Sequence, residues 1–112
     1  MKYKVIVSDS AKCEILEAYE WIAERTTTKA VKWLLGVEAA IGGLNLFPAS
    51  HALARENGAI PSEIRQLLYG KRQHKYRILH TIQGNDVVVL HVRHAARPAL
   101  HRGEIQWPDD LP

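Results

Sequence analysis

The residues best suited to chemistry in this 112-residue chain are arginines and histidines of its second half. Residues 62–107 carry eight Lys and Arg against three Asp and Glu, whereas residues 1–61 carry seven of each. Guanidinium groups bind phosphates through paired hydrogen bonds, and imidazole exchanges a proton near neutral pH. The basic half is therefore suited to polyanion binding or to metal-free acid–base chemistry at a phosphate, with a solvated basic surface as the alternative.

Strand alternation predicts that four of these side chains share one face of a sheet. Three strands are indicated over residues 64–69, 76–82 and 87–93, and successive side chains of a strand point to opposite faces. The residues assigned to the face away from the helices are Arg65, Arg77, His91 and Arg93. No carboxylate has this parity in the three strands, so we expect an open cationic face that needs an anion.

Structural roles are the alternative for each of these residues. Arg65 has possible surface partners in Glu56 and Glu63, and His91 is compatible with an ordinary hydrogen-bonded strand histidine. His94 and Arg97 follow the last predicted strand and would then only shape the C-terminal turn.

The elements that position these residues follow the order β-α-α-β-β-β. A strand over residues 2–8 precedes a helix capped by Ser8 or Asp9, and a second helix follows the cap-forming threonines 26–28 and ends before Phe47-Pro48. Residues 48–61 read as a loop. We predict an α+β fold, with an antiparallel sheet and an N-terminal helical hairpin packed on one face.

Side-chain parity also predicts the core of this fold. The side chains expected to face the helices are Ile64, Leu68, Tyr76, Ile78, His80, Ile82, Val88, Leu90 and Val92, with Trp21 and Trp33 in the core. We predict one domain over residues 1–98 and an irregular tail over residues 99–112.

Composition excludes several other classes of protein. Hydrophobic residues make up 46% and charged residues 24%, which is typical of a globular domain. The single cysteine, Cys13, the absence of a signal-peptide pattern and the lack of a long apolar run lead us to expect a cytoplasmic protein with no membrane partner. No zinc, P-loop or dinucleotide motif is present, so we predict no metal and no cofactor.

The chain resembles the RelE/ParE superfamily of type II toxin–antitoxin toxins, also called plasmid stabilisation proteins. The segments that carry the resemblance are residues 64–70, Tyr76-Arg77-Ile78-Leu79 and residues 88–97. The resemblance implies growth inhibition and neutralisation by a cognate antitoxin. RelE-like members cleave mRNA on the ribosome without a metal, whereas ParE-like members bind and poison DNA gyrase without nuclease activity.

The resemblance also implies roles for particular residues. Arg77 matches a mid-strand arginine that RelE-like toxins hold at the scissile phosphate, and Leu90-His91 resembles ParE-like toxins. No tyrosine follows Tyr76, although RelE-like toxins often carry a late tyrosine or histidine. The predicted catalytic residues are Arg77, His91, Arg93 and His94, and the predicted RNA-binding residues are Arg65, Lys71, Arg72, Lys75 and Arg97.

These roles lead to one leading function and two alternatives. We expect ribosome-associated mRNA cleavage first, gyrase poisoning second, and a decayed or otherwise targeted member third. If the cationic face is the active surface, the Arg77→Ala variant should fold and lose activity.

Overall fold

A computed structural model of the chain describes residues 2–107. In chain order it contains β1 (Lys4–Val7), α1 (Asp9–Ala23), α2 (Thr27–Gly42), β2 (Arg65–Tyr69), β3 (Tyr76–Gln83) and β4 (Asp86–His94). Short 3₁₀ turns occupy Gly43–Asn45, Pro48–Ser50 and Arg102–Glu104. The predicted order of elements and the α+β class are confirmed.

Two side-chain caps fix the helical hairpin. The Ser8 hydroxyl accepts a hydrogen bond from the backbone N–H of Ala11 at 3.1 Å and donates to the carbonyl of Leu90 at 3.0 Å. It therefore caps α1 and also fastens the helix to β4. Thr26 caps α2 in the same manner, accepting from the N–H of Lys29.

The four strands form one sheet in the order β1-β4-β3-β2. The pairs β2–β3 and β3–β4 are antiparallel, as predicted. The pair β1–β4 is parallel, so the prediction of a purely antiparallel sheet is wrong. The cause is the two-helix crossover, which returns the chain so that β2 runs in the direction of β1. Two antiparallel reversals, β2 to β3 and β3 to β4, then bring β4 beside β1 in that same direction. None of the helices in residues 2–107 has the length and apolar character needed to span a membrane.

A β-bulge changes the side-chain parity of β4. Leu79 pairs with His91, and His80 pairs with Val89, so that Leu90 has no opposite residue. Val92 and Val89 consequently both belong to the core under the helices, although they are three positions apart. The prediction that Val87 and Val89 lie on the open face is wrong, because it assumed uninterrupted alternation back from Val92.

The main core lies between the sheet and the helical hairpin. Its buried members are Ala11, Val37, Ile41, Leu44, Ile78, Val87, Val89 and Val92. Trp33 packs against this core as predicted, whereas Trp21 is 54% exposed and the prediction of a core position for it is wrong.

The second face of the sheet is covered, and the expectation of an open cationic face is therefore wrong. Ile64 and Leu79 form a buried cluster with Ala54 from the loop before β2 and Leu100 from the segment after β4. Both covering segments are irregular, so they carry no periodic signal in the sequence. The described part of the predicted tail, residues 99–107, thus packs on the sheet, and residues 108–112 lie outside the described residues.

The prediction that Ile64 and Leu68 face the helices is also wrong. Leu67 and Tyr69 are the residues of β2 that pack against the helix-side core. Ile64 belongs instead to the buried cluster on the second face of the sheet.

Candidate functional site

Arg77 lies in the middle of β3 and is only 2% exposed. Its Nη1 and Nη2 atoms donate to the two carboxylate oxygens of Glu56 at 2.7 and 2.8 Å, and Nη1 also lies 3.3 Å from the side-chain oxygen of Gln66. The balancing anion is therefore a side chain of the chain itself. Strand parity missed Glu56 because it belongs to the loop, 21 residues before Arg77.

The Glu56 carboxylate joins three segments of the chain. One oxygen accepts the backbone N–H of Leu100 at 2.9 Å in addition to its bond from Arg77. Burial alone would raise the pKa of Glu56, but the hydrogen bonds from Arg77 and Leu100 outweigh burial and lower the pKa from 4.5 to about 2. The carboxylate is consequently ionised at neutral pH and holds the loop, β3 and the C-terminal segment together.

His91 is also buried, and both of its ring nitrogens have partners. Nδ1 lies 3.0 Å from a carboxylate oxygen of Glu14 on α1, and Nε2 accepts the backbone N–H of Gln106 at 3.1 Å. Because Nε2 accepts, the geometry assigns the proton to Nδ1, which donates to Glu14. Glu14 accepts a further bond from the N–H of Val92. His91 thus links α1 to the C-terminal segment.

Arg93 lies opposite Arg77 in the sheet and is 8% exposed. Its Nη2 donates to the carbonyl of Pro98 at 2.9 Å, and its Nε has no hydrogen-bond partner within residues 2–107. Burial and the charge of Arg97 lower the pKa of Arg93.

Arg65 lies apart from the other cations, and the prediction that it shares a face with Arg77 is wrong. Leu68 is the residue of β2 that pairs with Arg77. Arg65 has the same strand parity as Leu67 and Tyr69, which pack against the core under the helices.

Arg65 donates to the carbonyl of His51 at 2.7 Å and forms an ion pair with the exposed Glu63 at 3.3 Å. Glu63 is one of the two surface partners that the sequence suggested for Arg65. His80 is fully buried, as its predicted packing role requires.

The predicted RNA-binding residues Lys71, Arg72 and Lys75 lie on the exposed turn between β2 and β3. The carbonyl of Lys75 accepts the backbone N–H of Ala95, which holds this turn beside the end of β4. His94 ends β4, and the exposed Arg97 follows in the next turn. The structure therefore gathers these cations at one end of the sheet.

At that end lies a groove that sequence reasoning missed. Two adjoining cavities of about 460 and 430 Å³ share Trp21, Tyr76 and His94 in their linings, and we call them together the aromatic groove. The first is also lined by Glu14, Glu17, Ala18, Val92, Arg93 and Arg97. The second is also lined by Ile22, Arg25, Thr26, Lys29, Trp33 and His74. The available signal was Trp21 followed four residues later by Arg25, which lies just after the end of α1 and stacks on the Trp21 ring.

The buried polar residues and the groove at the end of the sheet therefore differ in accessibility. Arg77, His91 and Arg93 are held by internal hydrogen bonds, and each is more than nine-tenths buried. His94 and Arg97 border a groove that is accessible to a ligand. Within residues 2–107, no group of three His, Cys, Asp or Glu side chains is arranged to hold a metal ion.

Comparisons with known proteins agree with this architecture. A family model described as the ParE toxin of the type II toxin–antitoxin system parDE matches residues 5–99. The chain is similar to a solved structure described as the chromosomal ParDE TA system from P. aeruginosa, with a TM-score of 0.66 and 14% identity. The match covers 83% of this chain and 96% of that chain, and at this identity it establishes the fold alone. No curated protein matches the chain.

Proposed function

Since the chain belongs to the ParE toxin family of type II toxin–antitoxin systems, as its predicted superfamily requires, we propose that it inhibits growth by binding DNA gyrase and has no nuclease activity. A type II system implies a cognate antitoxin protein as the partner that neutralises the toxin. This proposal places the gyrase alternative ahead of mRNA cleavage, which the sequence favoured.

The observation that carries the proposal is the ion pair between Arg77 and Glu56. Metal-free RNA cleavage needs a cation at the phosphate to stabilise the charge of the transition state. Both terminal nitrogens of Arg77 already donate to a buried carboxylate that is ionised at neutral pH. A phosphate would have to displace this carboxylate and leave it buried without its counter-charge, at a cost of several kcal/mol.

The acid–base candidates point in the same direction. A general base must reach the proton it removes, directly or through one water. His91 is 4% exposed, and the Nε2 atom that would accept the proton is occupied by the N–H of Gln106. Catalysis at this face would therefore require removal of residues 95–107, whereas binding to a protein target needs no such rearrangement.

The helical hairpin offers a surface for the target protein. Leu35 of α2 is 63% exposed, and Val31, four residues earlier on the same helix face, is also exposed. Leu16 of α1 is a third exposed apolar side chain on the hairpin. Exposed apolar side chains on neighbouring helices suit a protein contact, and we place the gyrase contact on this surface.

Induced expression in cells tests the proposal. We expect the wild-type protein to raise an SOS reporter and cause DNA breaks before protein synthesis falls. Leu35→Asp should abolish the SOS signal, because a charge at the centre of an apolar contact is left without a partner. Lys4→Gln, an exposed change on β1 outside the hairpin, is the matched control and should stay toxic.

Ribosome-dependent mRNA cleavage remains the second candidate because of one observation. His94, Arg93 and Arg97 line the same accessible cavity, which would supply an acid–base group and cations at one place. If the same expression experiment gives an immediate loss of protein synthesis with no SOS signal, and His94→Ala abolishes that loss, the gyrase proposal is wrong.

A further inference from the structure

The aromatic groove is lined by several planar side chains, of which Trp21 is exposed and Tyr76, Trp33 and His94 are half-buried. Trp21 is more than half exposed, and the guanidinium carbon of Arg25 lies 3.6 Å from the centre of its ring. On the other side, Tyr76 contacts Trp33 and His94 edge to face, with ring centres 5.0 and 5.2 Å apart. Exposed aromatic faces with adjacent guanidinium groups are the surfaces on which nucleic acid bases stack.

The charges around these rings are mainly positive. Arg25 and Lys29 line one cavity, and Arg93 and Arg97 line the other. The exposed basic turn over residues 70–75 joins β3 at Tyr76 and brings further cations to the same end of the sheet.

Two carboxylates also line the groove, and they have different surroundings. Glu14 is already engaged by His91 and by the N–H of Val92. Glu17 is exposed to solvent, which screens its charge. The groove therefore complements a polyanion.

Two buried donors beside the groove have no partner within residues 2–107. They are Nε of Arg93, a residue more than nine-tenths buried, and Nε1 of Trp33. A buried donor without a partner is costly to the folded chain. Both atoms are closed to solvent, so they would reach an acceptor on a bound molecule only after the side chains around them moved. Each residue lines one of the two cavities.

We propose that the aromatic groove binds single-stranded nucleic acid, with bases against Trp21 and Tyr76 and phosphates at the cations of its two ends. Each cavity lies within the range of about 300–1,000 Å³ that ligand sites occupy. An acidic peptide would use the cations but would leave the aromatic faces without planar partners. Single-stranded nucleic acid uses both. The groove shares the helical hairpin with the proposed gyrase contact, but its lining does not include Leu16, Val31 or Leu35.

Fluorescence anisotropy with the full-length protein tests this site. The probes are 5′-fluorescein-labelled twelve-nucleotide strands of dT and of U, and an abasic strand of equal length that keeps the phosphates. We expect the dT and U strands to bind more tightly than the abasic strand. Trp21→Ala should weaken their binding about tenfold, the size expected for losing one stacked base. With about three phosphates neutralised, the log–log dependence of affinity on salt should have a slope of about −2.

Two control variants separate the groove from general effects. Phe47→Ala removes a 76% exposed aromatic side chain outside the groove, and Lys4→Gln removes an exposed cation outside it. Both should keep wild-type affinity, whereas Arg97→Gln should weaken binding and reduce the salt slope. Thermal unfolding of Trp21→Ala should match the wild type, because its side chain lies largely in solvent.

Three results would overturn the proposal. They are no binding of either strand, equal binding of the abasic strand, and unchanged affinity in Trp21→Ala. If a polyglutamate peptide displaces the labelled strand as effectively as an unlabelled dT strand does, the groove is a site for acidic protein segments and not for nucleic acid. The assay contains no gyrase, so its failure leaves the SOS and growth results for Leu35→Asp unaffected and separately interpretable.

Discussion

Replacing Arg77 by methionine should strongly destabilise the fold. Methionine fills the space of the aliphatic stem but provides no donor, so Glu56 would keep its negative charge in a buried site. The N–H of Leu100 would be its only remaining partner among those described above. This expectation differs from the one drawn from the sequence, in which Arg77 pointed to an open face and its removal left folding intact.

The magnitude follows from two independent arguments. Removing one partner of a buried ion pair costs about 3–5 kcal/mol, because the other charge is left uncompensated. The fall in the pKa of Glu56 from 4.5 to about 2 corresponds to about 3 kcal/mol of favourable interaction with the ionised carboxylate. A domain of this size has a total stability of about 5–15 kcal/mol, so the variant should be marginally folded.

Urea denaturation at pH 7 measures this effect as a change in the free energy of unfolding. The double variant Arg77→Met/Glu56→Gln should recover about 2 kcal/mol, since a neutral amide carries no buried charge and its oxygen still accepts the N–H of Leu100. The control is Glu63→Gln, which breaks the solvent-exposed pair with Arg65 and should change the free energy of unfolding by at most about 1 kcal/mol.

The reasoning would be refuted by an Arg77→Met variant whose free energy of unfolding lies within about 1 kcal/mol of the wild type. A double variant less stable than the single one would also contradict it, because the loss could not then arise from an unpaired carboxylate.

Three further predictions concern other parts of the fold. The contribution of the Glu56 carboxylate to stability is complete above pH 4.5 and is lost as the pH falls towards 2. Urea denaturation at a series of pH values should therefore show that the free energy of unfolding of the wild type falls by about 3 kcal/mol over this interval, and that the Glu56→Gln variant does not show this loss. Ser8→Ala should lower the free energy of unfolding by about 1–2 kcal/mol in the same assay, because it removes the cap of α1 and a buried hydrogen bond to the carbonyl of Leu90. A change below about 0.5 kcal/mol, which is the size expected for a surface substitution, would contradict this role. Cys13→Ser should change the free energy of unfolding by less than about 0.5 kcal/mol and stay toxic in a growth assay, because Cys13 is exposed on α1. A variant that folds but is not toxic would show that the thiol has a functional role.

The regular elements could be predicted from the sequence because each carries a local signal. Cap residues precede both apolar helical patterns. The observed caps, Ser8 and Thr26, are among the candidates, which were Ser8 or Asp9 for the first helix and threonines 26–28 for the second. The three C-terminal strands are bounded by turn residues and pair as predicted. These signals depend on neighbours within a few positions, which a single sequence contains.

The surroundings of the candidate site depend on contacts between distant residues. Glu56 meets Arg77 across 21 residues and Leu100 across 44, and neither contact has a periodic pattern. Alternation correctly separated Arg77 from the helix-facing Ile78, but it could not show that loop and tail residues cover that face. The bulge opposite Leu79 and His80 adds one residue, Leu90, to β4. No residue type near this position predicts a bulge.

The most direct test of the central claim adds the purified protein to purified DNA gyrase with plasmid and, in parallel, to ribosomes translating a defined mRNA. We predict inhibited supercoiling with accumulation of cleaved plasmid, and full-length mRNA by primer extension. Cleavage of the ribosome-bound mRNA that is lost in the His94→Ala variant, together with unaffected gyrase, would contradict the account.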